Sequence, residues 1–155
     1  MRKLSLFIPL LLIAAGCSEK AFRMGSDVML PTISAGDTVV VNRSAYINEE
    51  PERADIVLYE IPDIDVERIS ILRVVAVGGD TIRVQGGKLY VNDMDEPVDE
   101  PYIKEPMRYT LEDTTVPDGH VYVLGDNRND SNDSQRFGPL SVDDVVGKVV
   151  KVEER

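Results

Sequence analysis

Thr81-Ile-Arg-Val-Gln-Gly-Gly-Lys-Leu-Tyr-Val-Asn92 carries two short runs of alternating apolar and polar residues joined by a Gly-Gly pair. Alternation with period two marks a strand with one buried face. Two glycines in succession supply the positive φ angles that a two-residue hairpin turn demands. The stretch therefore predicts a β-hairpin, with strands over 81–85 and 88–92. Outward from it, Asp37–Asn42, Asp55–Glu60, Ile69–Val77 and Val121–Leu124 are rich in β-branched and aromatic residues and are bounded by Gly, Pro, Asp or Asn, which predicts four more strands. Pro51, Pro62, Pro97, Pro101, Pro106 and Pro117 punctuate the connections, and an interior proline breaks a helix. No long amphipathic helix is predicted; Ser141–Val145 has room for one turn. The expected fold is mostly β, antiparallel and barrel-like, with little helix.

The 155 residues, 43% of them hydrophobic, suit one globular domain. At the N-terminus, Arg2 and Lys3 precede an apolar run from Leu4 to Ile13 and the small residues Ala14-Ala15-Gly16, which lead into Cys17, the only cysteine. A bilayer-spanning helix needs about 20 apolar residues, so the run suits a secretory signal peptide better. Ala14-Ala15-Gly16-Cys17 resembles a bacterial lipobox, and that resemblance implies cleavage before Cys17 and lipidation of its thiol. A lone cysteine has no intramolecular disulfide partner. The expected organisation is a signal peptide over 1–16, a polar tether over 17–23 and a β domain over 24–155. Losing residues 1–16 removes two basic residues and no acidic one, moving the formal charge from −11 to −13. A field of that sign repels nucleic acid and anionic lipid surfaces. Neither a metal nor a cofactor is expected.

Four blocks follow one another along the chain. The first is Met29-Leu-Pro-Thr-Ile33 with Gly36-Asp37-Thr-Val-Val-Val-Asn42-Arg43; the second is Ala54-Asp55-Ile-Val-Leu-Tyr59 with Pro62. The third is Leu72-Arg-Val-Val-Ala-Val-Gly-Gly-Asp-Thr-Ile82, and the fourth is Gly125-Asp-Asn-Arg-Asn-Asp-Ser-Asn-Asp-Ser-Gln-Arg-Phe-Gly138. Together they resemble bacterial type I signal peptidases, membrane-anchored serine peptidases that remove signal peptides from exported proteins. The resemblance implies a serine–lysine dyad, in which a hydroxyl attacks the scissile carbonyl and a buried neutral lysine takes its proton. Such a lysine works only if burial depresses its pKa.

In this chain the nucleophile's position is Val28 and the base's position is Leu72, and neither side chain handles a proton. Ser26 matches the residue whose hydroxyl helps form the family's oxyanion hole. Met29, Pro31, Arg73, Asp126, Arg128, Ser131 and Asp133 match its groove and supporting residues, with Asp126, Arg128 and Asp133 suited to a charge-assisted brace or to turn formation. Ala76 and Gly78 stand where the family has glycine and proline, and Gln135 where it has arginine. His120, the single histidine, is expected as a turn or edge residue. A nucleophile relocated to Ser26 would need a base, and Lys88, Lys104 and Lys148 lie in no block that predicts burial beside it.

Three readings follow from this set of matches and departures. The first is a catalytically inactive relative, tethered to the outer side of a membrane through lipidated Cys17, whose groove binds an extended or signal-peptide-like segment. The others are an active endopeptidase that cuts signal peptides and a non-catalytic assembly partner of an intact signal peptidase. In a host with two membranes the tether allows transfer to the outer one.

Overall fold

The computed structural model of the chain describes residues 18–61 and 68–155. Ten strands fall into two antiparallel sheets: β1 (Glu19–Arg23), β2 (Thr38–Asn42), β3 (Ile56–Ile61), β4 (Arg68–Val77), β5 (Thr81–Gln85), β6 (Lys88–Val91), β7 (Leu111–Thr115), β8 (His120–Leu124), β9 (Leu140–Ser141) and β10 (Val145–Glu153). The larger sheet has the order β1-β2-β10-β3-β4-β8-β9 and the smaller β6-β5-β7. The helical content described is one turn, α1 (Ser134–Phe137), and a 3-10 turn over Val142–Asp144. The expected mostly β, antiparallel, barrel-like fold is borne out, as a curled half-barrel.

The hairpin forms as its glycines dictate. Gln85 pairs with Lys88, and Gly86 and Gly87 take φ of 56° and 78°, the two positive values of the tight turn. Period-two burial is visible in β2, where Val39 and Val41 are fully buried between half-exposed neighbours. In β3 and β4 it gives way to burial on both faces. Leu58 and Ile71 point into one apolar cluster with Met24, Met29 and Ile33. Val57, Tyr59, Leu72 and Val74 point into another with Val121, Val123 and Leu140. A third cluster joins the end of β4 and β8 to the small sheet through Val75, Tyr122, Ile82 and Leu89. Continuous apolar runs are what strands covered on both sides require.

Four strands and α1 were not expected. Residues 18–23, expected within a tether, carry β1, which pairs with β2 from Glu19↔Asn42 to Arg23↔Thr38. Its polar sequence, EKAFR, suits an edge strand, and Phe22 packs on the core. α1 forms because Asp133 caps it, accepting from the Gln135 N–H. Cys17 and the segment expected as a signal peptide lie outside the described residues.

Candidate functional site

The last block builds a brace around the turn after β8. Asp126 has no exposed side-chain surface and takes a two-pronged ion pair from Arg73, with Nε at 2.8 Å and Nη2 at 2.7 Å. The third Arg73 nitrogen, Nη1, donates to the Ala54 carbonyl at 3.1 Å, and the guanidinium lies 4.1 Å from the Tyr102 ring centre. Burial opposes the charge on Arg73, and the Asp126 hydrogen bonds outweigh it, so its pKa is raised. Arg128 is held in the same way by Glu100, at 2.7 and 2.6 Å, and donates to the Gly125 carbonyl. Burial, reinforced by the Glu100 carboxylate, pushes the Tyr102 hydroxyl up to about 12. Asp133 accepts from the Gly125 N–H at 3.0 Å. Asp126 thus pairs with a cation across the sheet, Asp133 bonds backbone N–H groups of the turn, and Arg128 combines an ion pair with a bond to a turn carbonyl. Thr32, within the first block, donates its hydroxyl to Asp126; Glu100 and Tyr102 complete the network without a sequence signal of their own.

This brace fixes the Val28 loop. The Asn127 N–H donates to the Val28 carbonyl at 3.0 Å, and Asn127 Nδ2 donates to the Asp27 carbonyl at 3.1 Å. Gly125 is obligatory here, because a Cβ on it would lie 2.5 Å from the Val28 oxygen. Ser131 Oγ crowds the same point and is buried without a hydrogen-bond partner among the described residues. Met29 is fully buried and Pro31 half-buried.

Ala54 holds a φ of 75°, a conformation that costs a residue with a Cβ about 1 kcal/mol relative to glycine. Its carbonyl is the one that accepts from Arg73. Ala54→Gly is therefore expected to stabilise the fold by about 1 kcal/mol, read as a higher urea midpoint with an unchanged slope.

A groove runs beside this loop. β4 pairs with β3 from Arg68 to Arg73 but with β8 only from Arg73 to Val77. One edge of Ile69–Leu72 therefore has no strand partner among the described residues. A cavity of about 240 Å³ is lined by this part of β4, Ile69–Ile71, and by the segment Phe22–Ser26, with Leu58 and Ile71 as apolar floor. Ile69 is 51% exposed at the rim, and Ser26 is exposed.

The two positions of the implied dyad are apolar and packed. Val28 rests on the cluster that holds Ile71 and Leu58. Leu72, with no exposed surface, points into the other cluster. Of the described lysines, 20, 88, 104 and 151 are exposed, and Lys148 is paired with Asp55 at 2.6 Å. None is a buried, unpaired base for Ser26. Among the described residues, no group of acidic, histidine or cysteine side chains is set to hold a metal ion, and no helix is long and apolar enough to cross a membrane.

Comparison with known proteins places this geometry. The chain is 41% identical over 134 residues to thylakoidal processing peptidase 1 of Arabidopsis thaliana, covering 81% of this chain and 39% of that protein. It is 40% identical over 128 residues to a probable signal peptidase I-1 of Synechocystis, covering 79% of this chain and 64% of that one. The chain thus spans between about two-fifths and two-thirds of these relatives' lengths. The crystal structure of a signal peptidase I from Enterococcus faecalis superposes with a TM-score of 0.55 at 28% identity, over 66% of this chain and 98% of that one. Residues 2–152 match the sequence profile of the signal peptidase, peptidase S26, family, and the chain belongs to that family.

Proposed function

We propose that this chain is a non-catalytic member of its family that binds an extended, signal-peptide-like segment without cutting it. The unpaired edge of β4 beside an apolar groove carries this reading. An extended peptide adds to such an edge through main-chain hydrogen bonds and sets alternate side chains into pockets. That mode of binding uses no nucleophile. The apolar residues Val28 and Leu72 at the dyad positions, and the absence of a buried unpaired lysine among the described residues, support the loss of chemistry. The domain acts on the extracytoplasmic side of a membrane, held there by lipidated Cys17.

The test is to mix the lipid-tethered chain, in detergent, with a fluorescent signal-peptide substrate, and to follow anisotropy and cleavage together. Saturable binding without product is the expected result, weakened by Ile69→Glu at the groove rim. Cleavage that disappears in Ser26→Ala would overturn the proposal and point to a relocated nucleophile.

A further inference from the structure

The far end of β4 carries a second and larger concavity. Ile69–Ile71, at the start of the strand, line the peptide groove. Val77 and Gly78, at and just beyond its end, line a cleft of about 590 Å³. Some seven residues of extended chain separate the two, about 20–25 Å. The cleft volume lies within the range of about 300–1,000 Å³ common for ligand sites. Its floor is apolar, from Pro51, Val77, Val121 and Val142, and its rim carries Glu50, Glu52 and Asp118. None of these three carboxylates accepts a hydrogen bond or ion pair among the described residues. Arg53, the cation in the lining, is turned to Asp80 at 3.8 Å, and the Nδ1 of His120 lies 3.0 Å from the Asp118 carbonyl.

One wall exists because residue 78 is glycine. A Cβ there would sit 3.0 Å from the Asp118 Cα and 3.2 Å from the Pro117 carbonyl, so the 77–80 and 117–119 turns approach this closely only without a side chain. This is the position at which the chain departs from its family's proline. The departure that sequence alone left without a purpose thus shapes the cleft.

We propose that this cleft is a docking site for a lysine or arginine side chain presented by a partner protein. The apolar floor takes the methylene stem and the rim carboxylates take the charged head, the division by which long cationic side chains bury their stems. Charge complementarity selects this occupant, because the rim's three carboxylates exceed the cations beside them and the net charge of the chain is −11. The site is independent of the peptide groove and of any catalysis.

A capped tripeptide with a central lysine between two alanines is the probe, followed by NMR on the full chain. His120, the single histidine, and the amides of Gly78 and Gly119 report on the cleft. The lysine peptide is expected to shift these signals and to leave those of Ile69–Ile71 in place. Its norleucine counterpart, which keeps the stem and loses the charge, should bind about tenfold more weakly, and the glutamate counterpart should not bind. The triple variant Glu50→Gln/Glu52→Gln/Asp118→Asn should lower lysine-peptide affinity about tenfold, the sum of three exposed charge contacts. The single reversal Asp118→Lys, at an exposed turn, repeats the test should the triple variant fold poorly. Shifts scattered over the acidic surface, shifts unchanged in the variants, or no shifts at millimolar peptide would each overturn the proposal.

Discussion

Asp126→Ala is expected to cost about 3–5 kcal/mol of folding stability, the loss typical of removing one partner from a buried ion pair. The carboxylate has no exposed surface, and Arg73 is 8% exposed. Its removal leaves Nε and Nη2 of Arg73 without acceptors and strips the Thr32 hydroxyl of its own. Nη1 keeps the Ala54 carbonyl and the guanidinium keeps the Tyr102 ring, but neither neutralises the charge. Arg128 adds to the penalty, because its cation already opposes the one on Arg73. A desolvated cation with no counter-ion is the costly state, and the double replacement Arg73→Met/Asp126→Leu avoids it. That pair of changes should recover most of the loss, since apolar side chains of similar volume commonly substitute for a buried ion pair without penalty. Urea unfolding of the two variants decides the matter. A loss below about 1 kcal/mol for Asp126→Ala would mean that water reaches Arg73 and that the brace is not what fixes the Val28 loop.

The parts of this fold that sequence discloses are those in which one physical rule acts alone. The 81–92 hairpin follows from alternation plus two glycines, and the structure places both glycines at positive φ. β10 carries no such signal although it joins β2 to β3 in the interior of the large sheet. Its register shifts between Val145 and Gly147 and again between Val149 and Lys151, and each irregularity breaks the period of two that identifies a strand. Gly147 marks the close approach there, since a Cβ would lie 2.5 Å from the Asn42 carbonyl. β7, with Glu112 and Asp113 at its middle, resembles a solvated loop; its pairing to β5 and the ion pair Arg83–Asp113 are tertiary. The site divides in the same way. Residues within the four blocks were recognisable by order and spacing. Glu100 and Tyr102 were not, because they reach the arginines from a proline-rich connection with no periodicity of its own. The groove depends on a strand edge left unpaired, a property of the sheet that no single residue carries.

Leu72→Lys restores the type of residue that the family resemblance implies at this position, and the variant is expected to be several kcal/mol less stable than the natural chain at pH 7. The side chain enters a cluster of Val57, Tyr59, Val74, Val121, Val123 and Leu140, with Tyr46 packed against it, where the side-chain polar atoms are the two tyrosine hydroxyls. Burial in this apolar cluster disfavours the ammonium, and the folded-state pKa falls below the unfolded value of about 10.4. A depression of about 3 units corresponds to about 4 kcal/mol. The sign of the pH dependence follows from proton binding. Below the folded pKa both states hold the proton and the penalty is complete. Between the folded pKa and about 10.4 the unfolded chain binds the proton and the folded chain does not, so stability relative to the natural sequence rises with pH. Thermal unfolding of both proteins from pH 6 to pH 10 should show the gap between them narrowing at the alkaline end, with the tyrosines common to both cancelling. A constant gap would mean that the lysine stem turns its charge to water. The same energetics account for the leucine: with valine at position 28 there is no hydroxyl for a neutral amine to activate, and a buried lysine would carry its desolvation cost with no reaction in return.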